Sequence, residues 1–97
     1  MVKFALVARL EAKPGKEQEV AEFIRSALPL AQQEAQTISW YALQMGPAIF
    51  GIFDTFENEE GRKAHLAGPI AAALMAKASE LLAKAPVIER IDILAVK

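Results

Sequence analysis

Residues 37–57 have the sequence TISWYALQMGPAIFGIFDTFE, and this stretch decides the fold that we predict. Two runs within it, 37–45 and 48–57, are rich in β-branched and aromatic residues and indicate strands. The Gly46-Pro47 step between them is short enough to make a hairpin. An antiparallel pair of strands therefore forms the middle of the predicted domain.

The segment before the hairpin predicts one strand followed by one helix. Residues 2–11 alternate as a strand, the KPGK at 13–16 breaks it, and the apolar period becomes helical over 16–35. Pro29 cannot donate the hydrogen bond that a helix needs at its position. We therefore expect a kink or break at Pro29, with 30–36 as a separate turn or short helix.

The segment after the hairpin predicts two helices and a last strand. Asn58 is a good N-cap for a short helix, which Gly68 ends. Pro69 fits the first turn of a second, alanine-rich helix that runs to about residue 85. Residues 87–96 alternate as a strand again.

The resulting order, βαββαβ, has no linker, repeat or low-complexity segment. It predicts one domain over residues 1–97, with an α+β ferredoxin-like fold. In this fold a four-stranded antiparallel sheet carries both long helices on one face.

Composition and charge exclude several classes of function. The formal net charge is −1, and the 11 basic residues form no block, so nucleic acid is not an expected partner. Cysteine is absent, which excludes disulfides and thiol catalysis. No apolar run approaches the roughly 18 residues of a membrane span. The chain opens directly into a strand pattern, so we expect no signal peptide and a cytoplasmic location.

Both faces of the predicted strands carry large apolar side chains. Ile52 and Phe56 share one face of their strand, whereas Ile49 and Phe53 lie on the other. A sheet with helices on one face normally shows polar side chains on its open face. We therefore expect a homodimer that packs sheet against sheet, the alternative being a monomer with an unusually apolar surface.

Three stretches together resemble the antibiotic biosynthesis monooxygenase (ABM) superfamily, whose members are dimeric α+β barrels. They are ALVARLEAKPGKEQEV at 5–20, FGIFDTFENEEGRKAHL at 50–66 and VIERIDIL at 87–94. The resemblance matches His65 to the family histidine. Asp54 stands where the family usually has glutamate, and Phe56 where it usually has tryptophan.

The resemblance implies a cofactor-independent monooxygenase that oxidises a small aromatic or quinol-type substrate with dioxygen, with no metal and no flavin. The alternative is a non-catalytic domain of the same fold that binds a small hydrophobic ligand, which the loss of the family tryptophan favours. Heme binding or degradation is disfavoured. That group uses an asparagine on the first strand, which this chain lacks.

Asp54 and His65 are the predicted catalytic residues. Asp54 shares its strand face with apolar residues, so we expect desolvation to raise its pKa and make it a base. Its alternative role is to cap a helix or to pair with Arg62 or Lys63. His65 is the only histidine and is predicted to carry a proton or donate to a phenolate, or else to fix its helix to a neighbouring element. We predict that Asp54 and His65 border one cavity between sheet and helices.

Phe56, Trp40 and Ile52 are the predicted substrate-binding residues. Alternation places Trp40, with Ile38, on the face opposite Tyr41, so at most one of these two aromatic rings lines a given pocket. Packing in the core or in a dimer interface is the alternative for each ring. We expect no metal site, because the chain has one histidine and no cluster of further ligands. We also expect no nucleotide cofactor, because no glycine-rich nucleotide-binding motif is present.

Overall fold

A computed structural model describes residues 2–97 of the protein. The helices and strands in this part of the chain follow in the order β1 (Phe4–Glu11), α1 (Glu17–Ser26), α2 (Leu28–Gln32), β2 (Thr37–Gln44), β3 (Ile49–Phe56), α3 (Glu59–Leu66), α4 (Pro69–Leu81) and β4 (Val87–Asp92).

The strands form one antiparallel sheet in the spatial order β2-β3-β1-β4. The helices pack on one face of it, where Leu10, Phe50 and Ile52 of the sheet meet Val20, Ile24 and Leu74 of the helices. This arrangement confirms the predicted ferredoxin-like βαββαβ fold. Because β1 and β3 are the two central strands, side chains on their inner faces are the most deeply buried.

The helix predicted over 16–35 is broken, but the break precedes Pro29. The first helix ends at Ser26, and Pro29 lies in the first turn of α2, where the missing N–H removes no helical hydrogen bond. The separate short helix, Leu28–Gln32, therefore begins two residues before the predicted start at residue 30.

Both helices after β3 begin where their local sequence signals predict. The Asn58 side chain accepts a hydrogen bond from the Gly61 N–H at 2.8 Å and caps α3. Pro69 begins α4 as predicted. The fourth helix ends at Leu81 rather than near residue 85, because the backbone at Leu82 turns away to form an isolated bridge with Ala12.

A β-bulge near the start of β2 changes the predicted faces of that strand. The pairing with β3 shifts between Thr37 and Ser39, so Ile38 is the extra residue and is half-exposed. Trp40 pairs with Asp54 and points toward the helices. Ile38 therefore lies outside the simple alternation predicted for this strand.

Candidate functional site

Asp54 lies near the end of the central strand β3, on the face that meets the helices. Its neighbours on that face, Ile52 and Phe56, are buried, and Asp54 itself is only 1% exposed. The position follows from the period of two along a strand, because residues 52, 54 and 56 point the same way. A carboxylate at this depth needs a partner to remain charged.

His65 supplies that partner from the last turn of α3. Because the Asn58 cap starts this helix immediately after β3, the helix folds back over the inner face of the sheet. The ring is 8% exposed, and Nε2 lies 2.9 Å from Asp54 Oδ2. The contact is an ion pair and not an aligned hydrogen bond, because neither carboxylate oxygen of Asp54 has a hydrogen-bond donor within residues 2–97. The alternative pairing of Asp54 with Arg62 is not present, since Arg62 instead binds both carboxylate oxygens of Glu59 at 2.7 Å.

Glu34 contacts the opposite side of the same ring and is the residue that the sequence did not reveal. It lies in the turn between α2 and β2, and its Oε1 is 2.7 Å from His65 Nδ1. The Thr37 hydroxyl donates to the same oxygen at 2.7 Å. The Glu34 side chain is 16% exposed. No periodicity or motif marks it among the other acidic residues, because the contact joins positions 31 residues apart.

The two carboxylates decide the charge of His65. Burial by itself lowers the pKa of an imidazole, but Asp54 and then Glu34 outweigh it and raise the pKa of His65 from 6.5 to about 9. At neutral pH the ring is therefore an imidazolium with a proton on each nitrogen, hydrogen-bonded to Glu34 through Nδ1 and in ion-pair contact with Asp54 through Nε2. One cation between two anions leaves the cluster with one negative charge.

A partly enclosed cavity of about 30 Å³, below called the enclosed cavity, adjoins Asp54 and His65 between the sheet and the helices. Every other side chain around it is apolar: Leu6, Ala8, Ile52, Leu66, Ile70, Ala71, Leu74 and Ile88. Most of these are buried, whereas Ile88 is 42% exposed and forms part of the solvent side of the wall. The volume holds one or two molecules the size of water or dioxygen, and is well below the roughly 300 Å³ of a typical ligand pocket.

A second, open pocket of about 330 Å³ lies on the other side of the His65 ring. Glu34, Thr37 and Gly68 contribute to its wall together with His65. Because His65 lines both spaces, its Nε2 side faces the enclosed cavity and its Nδ1 side faces the open pocket.

The other predicted substrate-binding residues have different places. Ile52 lines the enclosed cavity. Phe56 is fully buried behind His65, with ring centroids 5.6 Å apart, and does not line the cavity. Trp40 packs against the core, and its Nε1 is buried without an acceptor in the described residues. The two aromatic rings thus support the site from behind rather than form its wall.

Within residues 2–97, no group of three or more acidic or histidine side chains is arranged to hold a metal ion. Glu34 and Asp54 cannot share an ion with His65, because they contact opposite nitrogens of the ring. No helix in this part of the chain is long and apolar enough to cross a lipid bilayer.

Comparison with known proteins identifies a near relative and a broad structural group. No protein-family model matches the chain, and no curated protein matches it either. The crystal structure of NE2512, a protein of unknown function from Nitrosomonas europaea, is 57% identical, with a TM-score of 0.98 over 100% of this chain and 94% of that one.

Two more distant crystal structures are each described as a "putative antibiotic biosynthesis monooxygenase". One, also from N. europaea, is 14% identical with a TM-score of 0.83 over 95% of this chain and 90% of that one. The other, from Caulobacter crescentus CB15, is 20% identical with a TM-score of 0.80 over 97% of this chain and 92% of that one. The chain therefore belongs to the same family as NE2512, and its fold is that of the antibiotic biosynthesis monooxygenase proteins.

Proposed function

We propose that the protein is a cofactor-independent monooxygenase that oxidises a small aromatic or quinol-type substrate with dioxygen. One observation carries the proposal: the Asp54–His65 ion pair, with its 2.9 Å contact, lies in the wall of an otherwise apolar cavity. Burying charged groups costs folding free energy, and apolar side chains of similar volume are often at least as stable. A domain that only binds a hydrophobic ligand has no need for this pair.

The pair supplies the two groups that the reaction requires. Asp54 accepts the phenolic proton at its unpaired Oδ1, and the resulting phenolate transfers one electron to dioxygen. The His65 imidazolium stabilises the negative charge of the phenolate and of the superoxide. Recombination forms a C–O bond, Asp54 returns its proton to the peroxide, and loss of water leaves the quinone. One oxygen atom enters the product and the other leaves as water.

The size of the cavity sets how the substrate enters. At about 30 Å³ the cavity accommodates dioxygen but not an aromatic ring. The partly exposed side chains of Ile88 and Leu66 are the elements of its wall that can move toward solvent. We propose that the substrate displaces them and that its ring then packs against Ile52, with its hydroxyl at Asp54.

A homodimer through the open face of the sheet forms part of this proposal. Tyr41, 53% exposed, stacks on Phe53 at 6.2 Å on that face. Leu94 of the C-terminal segment is 95% exposed beside them, along a groove of about 660 Å³. An apolar surface of this kind on a small protein is typical of a protein–protein interface. The partner we propose is a second copy.

The alternative function is capture of a small hydrophobic ligand without turnover. The small volume of the cavity favours it, as does Phe56, which has no N–H to donate where the resembling family has tryptophan. The two functions differ in one measurable respect, since only the enzyme consumes dioxygen.

The test is dioxygen uptake by the purified protein with a panel of hydroquinones, naphthols and anthrones, recorded with an oxygen electrode. We expect uptake of one dioxygen per substrate with at least one compound, and a loss of at least about 100-fold in Asp54→Asn. Asp92→Asn is the matched control, because Asp92 is exposed on β4, and it should retain full activity. Ligand binding without uptake would support the alternative, and equal rates in both variants would remove Asp54 from the mechanism.

A further inference from the structure

Two acceptors on opposite nitrogens fix one orientation of the His65 ring. Asp54 Oδ2 lies 2.9 Å from Nε2, and Glu34 Oε1 lies 2.7 Å from Nδ1. A half-turn of the ring about its bond to Cβ would replace both N–H groups by C–H groups at these distances. A neutral imidazole has one N–H and can satisfy only one of the two carboxylates. The geometry therefore selects both the orientation and the doubly protonated form.

The Glu34 carboxylate is itself held in place. The Thr37 hydroxyl donates to Oε1 at 2.7 Å. The backbone of the turn is tied at both sides, since the Glu34 N–H donates to the Ala31 carbonyl at 3.1 Å and the Thr37 N–H donates to the Glu34 carbonyl at 3.2 Å. Glu34 also lines the open pocket, and its other oxygen, Oε2, is buried without a hydrogen-bond donor within residues 2–97. It is thus a fixed anion at the back of the ring.

An ion pair with His65 requires only one carboxylate, that of Asp54, so the Glu34 carboxylate is additional. His65 alone would neutralise Asp54, giving a closed pair with no net charge. With Glu34 present, the imidazolium is shared between two anions, and Asp54 presents carboxylate oxygens without a hydrogen-bond donor beside the cavity. This arrangement leaves a base and a fixed cation at one end of an apolar space.

We propose that Glu34 is a positioning residue of this site. From the wall of the open pocket, its carboxylate binds Nδ1 and holds the His65 imidazolium with Nε2 in ion-pair contact with Asp54 beside the enclosed cavity. The proposal deepens the proposed function and rests on it for its role in turnover. The geometry of the ring can be tested without a substrate.

The titratable side chains that contact His65 within residues 2–97 are Asp54 on β3 and Glu34 before β2. On its own helix, Arg62 is engaged by Glu59, the carbonyls of Ala5 and Ile91, and the ring of Phe4. Removing the charge of Glu34 therefore changes one of two direct partners and leaves the other in place.

The experiment uses ¹⁵N-histidine labelling, which reports on His65 alone because the chain has one histidine. The wild type should show both ring nitrogens protonated at pH 7.5, one set of ring signals, and a titration midpoint near 9. In Glu34→Gln, which keeps the shape but not the charge, the midpoint should fall by about one pH unit or more, and the Nδ1–H signal should broaden. Glu22→Gln, at an exposed position of α1, is the matched control and should match the wild type.

Thr37→Val serves as a second variant, since it removes the hydroxyl that anchors Glu34 and keeps the carboxylate. It should increase the mobility of the His65 ring, seen as doubled or broadened ring signals, and should change the titration midpoint less than Glu34→Gln does. A Glu34→Gln protein whose ring signals and midpoint equal those of the wild type would overturn the proposal. If the ring behaves as expected but no dioxygen uptake is found, the positioning stands and the proposed oxidation fails. If dioxygen uptake depends on Asp54 but the pH profile of uptake in Glu34→Gln equals that of the wild type, the positioning role of Glu34 is refuted and the proposed oxidation stands.

Discussion

Raising the pH from 6.5 to 9.5 should destabilise this protein, and the cause should be His65. The folded state holds the His65 proton up to a pKa of about 9, whereas in the unfolded chain the pKa is close to the ordinary 6.5. Below about pH 6.5 both states are protonated, so the ion pairs contribute fully. Between pH 6.5 and 9 the unfolded chain has lost the proton that the folded state retains, and stability falls as pH rises.

The size of the effect follows from the difference between the two pKa values. Each pKa unit corresponds to about 1.4 kcal/mol, so the free energy of unfolding should fall by at most about 3 kcal/mol across this range. Partial exposure of Glu34 reduces the value through solvent screening. A loss of 2–3 kcal/mol would be a substantial part of the roughly 5–15 kcal/mol typical of a small domain.

The assay is urea unfolding followed by circular dichroism at 25 °C, at fixed protein concentration, in steps from pH 6 to 10. The control is Glu34→Gln/Asp54→Asn/His65→Gln, which replaces all three charged side chains of the cluster by neutral ones and leaves no buried carboxylate without its partner. Its unfolding free energy should change by less than about 0.5 kcal/mol between pH 6.5 and 9, because apart from histidine no side-chain type in the sequence has an ordinary pKa within that window. A wild type as insensitive to pH as the control would refute the assignment of a charged, doubly paired His65.

Two further predictions concern the fold and the assembly. Asn58→Ala removes the acceptor for the Gly61 N–H at the start of α3 and should lower the free energy of unfolding by about 1 kcal/mol, measured by urea unfolding, with Asn58→Asp close to the wild type. An unchanged Asn58→Ala would mean that the cap contributes nothing. Light scattering at micromolar concentration should give about twice the 10.5 kDa mass of the chain, and Phe53→Lys on the open sheet face should shift it toward one chain mass. A wild type that scatters as a monomer would contradict the proposed dimer.

The elements that the sequence determined by itself are those whose signals are local. The alternation of 48–57, the Gly46-Pro47 step and the Asn58 cap each depend on residues a few positions apart, so the hairpin and the start of α3 were predictable. The face of Asp54 followed from the same alternation. Because His65 lies on the element directly after β3, its closeness to Asp54 could also be anticipated.

The tertiary structure decided those features of the fold in which long-range contacts override the local sequence pattern. The fourth helix ends early because Leu82 bridges to Ala12, and the bulge at Ile38 changes the faces of β2. Neither feature leaves a mark in the nearby sequence, since each depends on a partner strand or segment far away in the chain.

The candidate site likewise has a part that the sequence predicted and a part that only the tertiary structure decided. Sequence alternation proposed a lone carboxylate on an apolar face, whereas folding brings two carboxylates to one imidazole. Glu34 comes from a turn 31 residues before His65, and only the packing of α2 and α3 against the sheet brings it within 2.7 Å of the ring. The small volume of the cavity likewise depends on how side chains from three strands and two helices meet. Contacts between distant segments carry no periodicity, and for that reason the residue types were visible in the sequence but their arrangement was not.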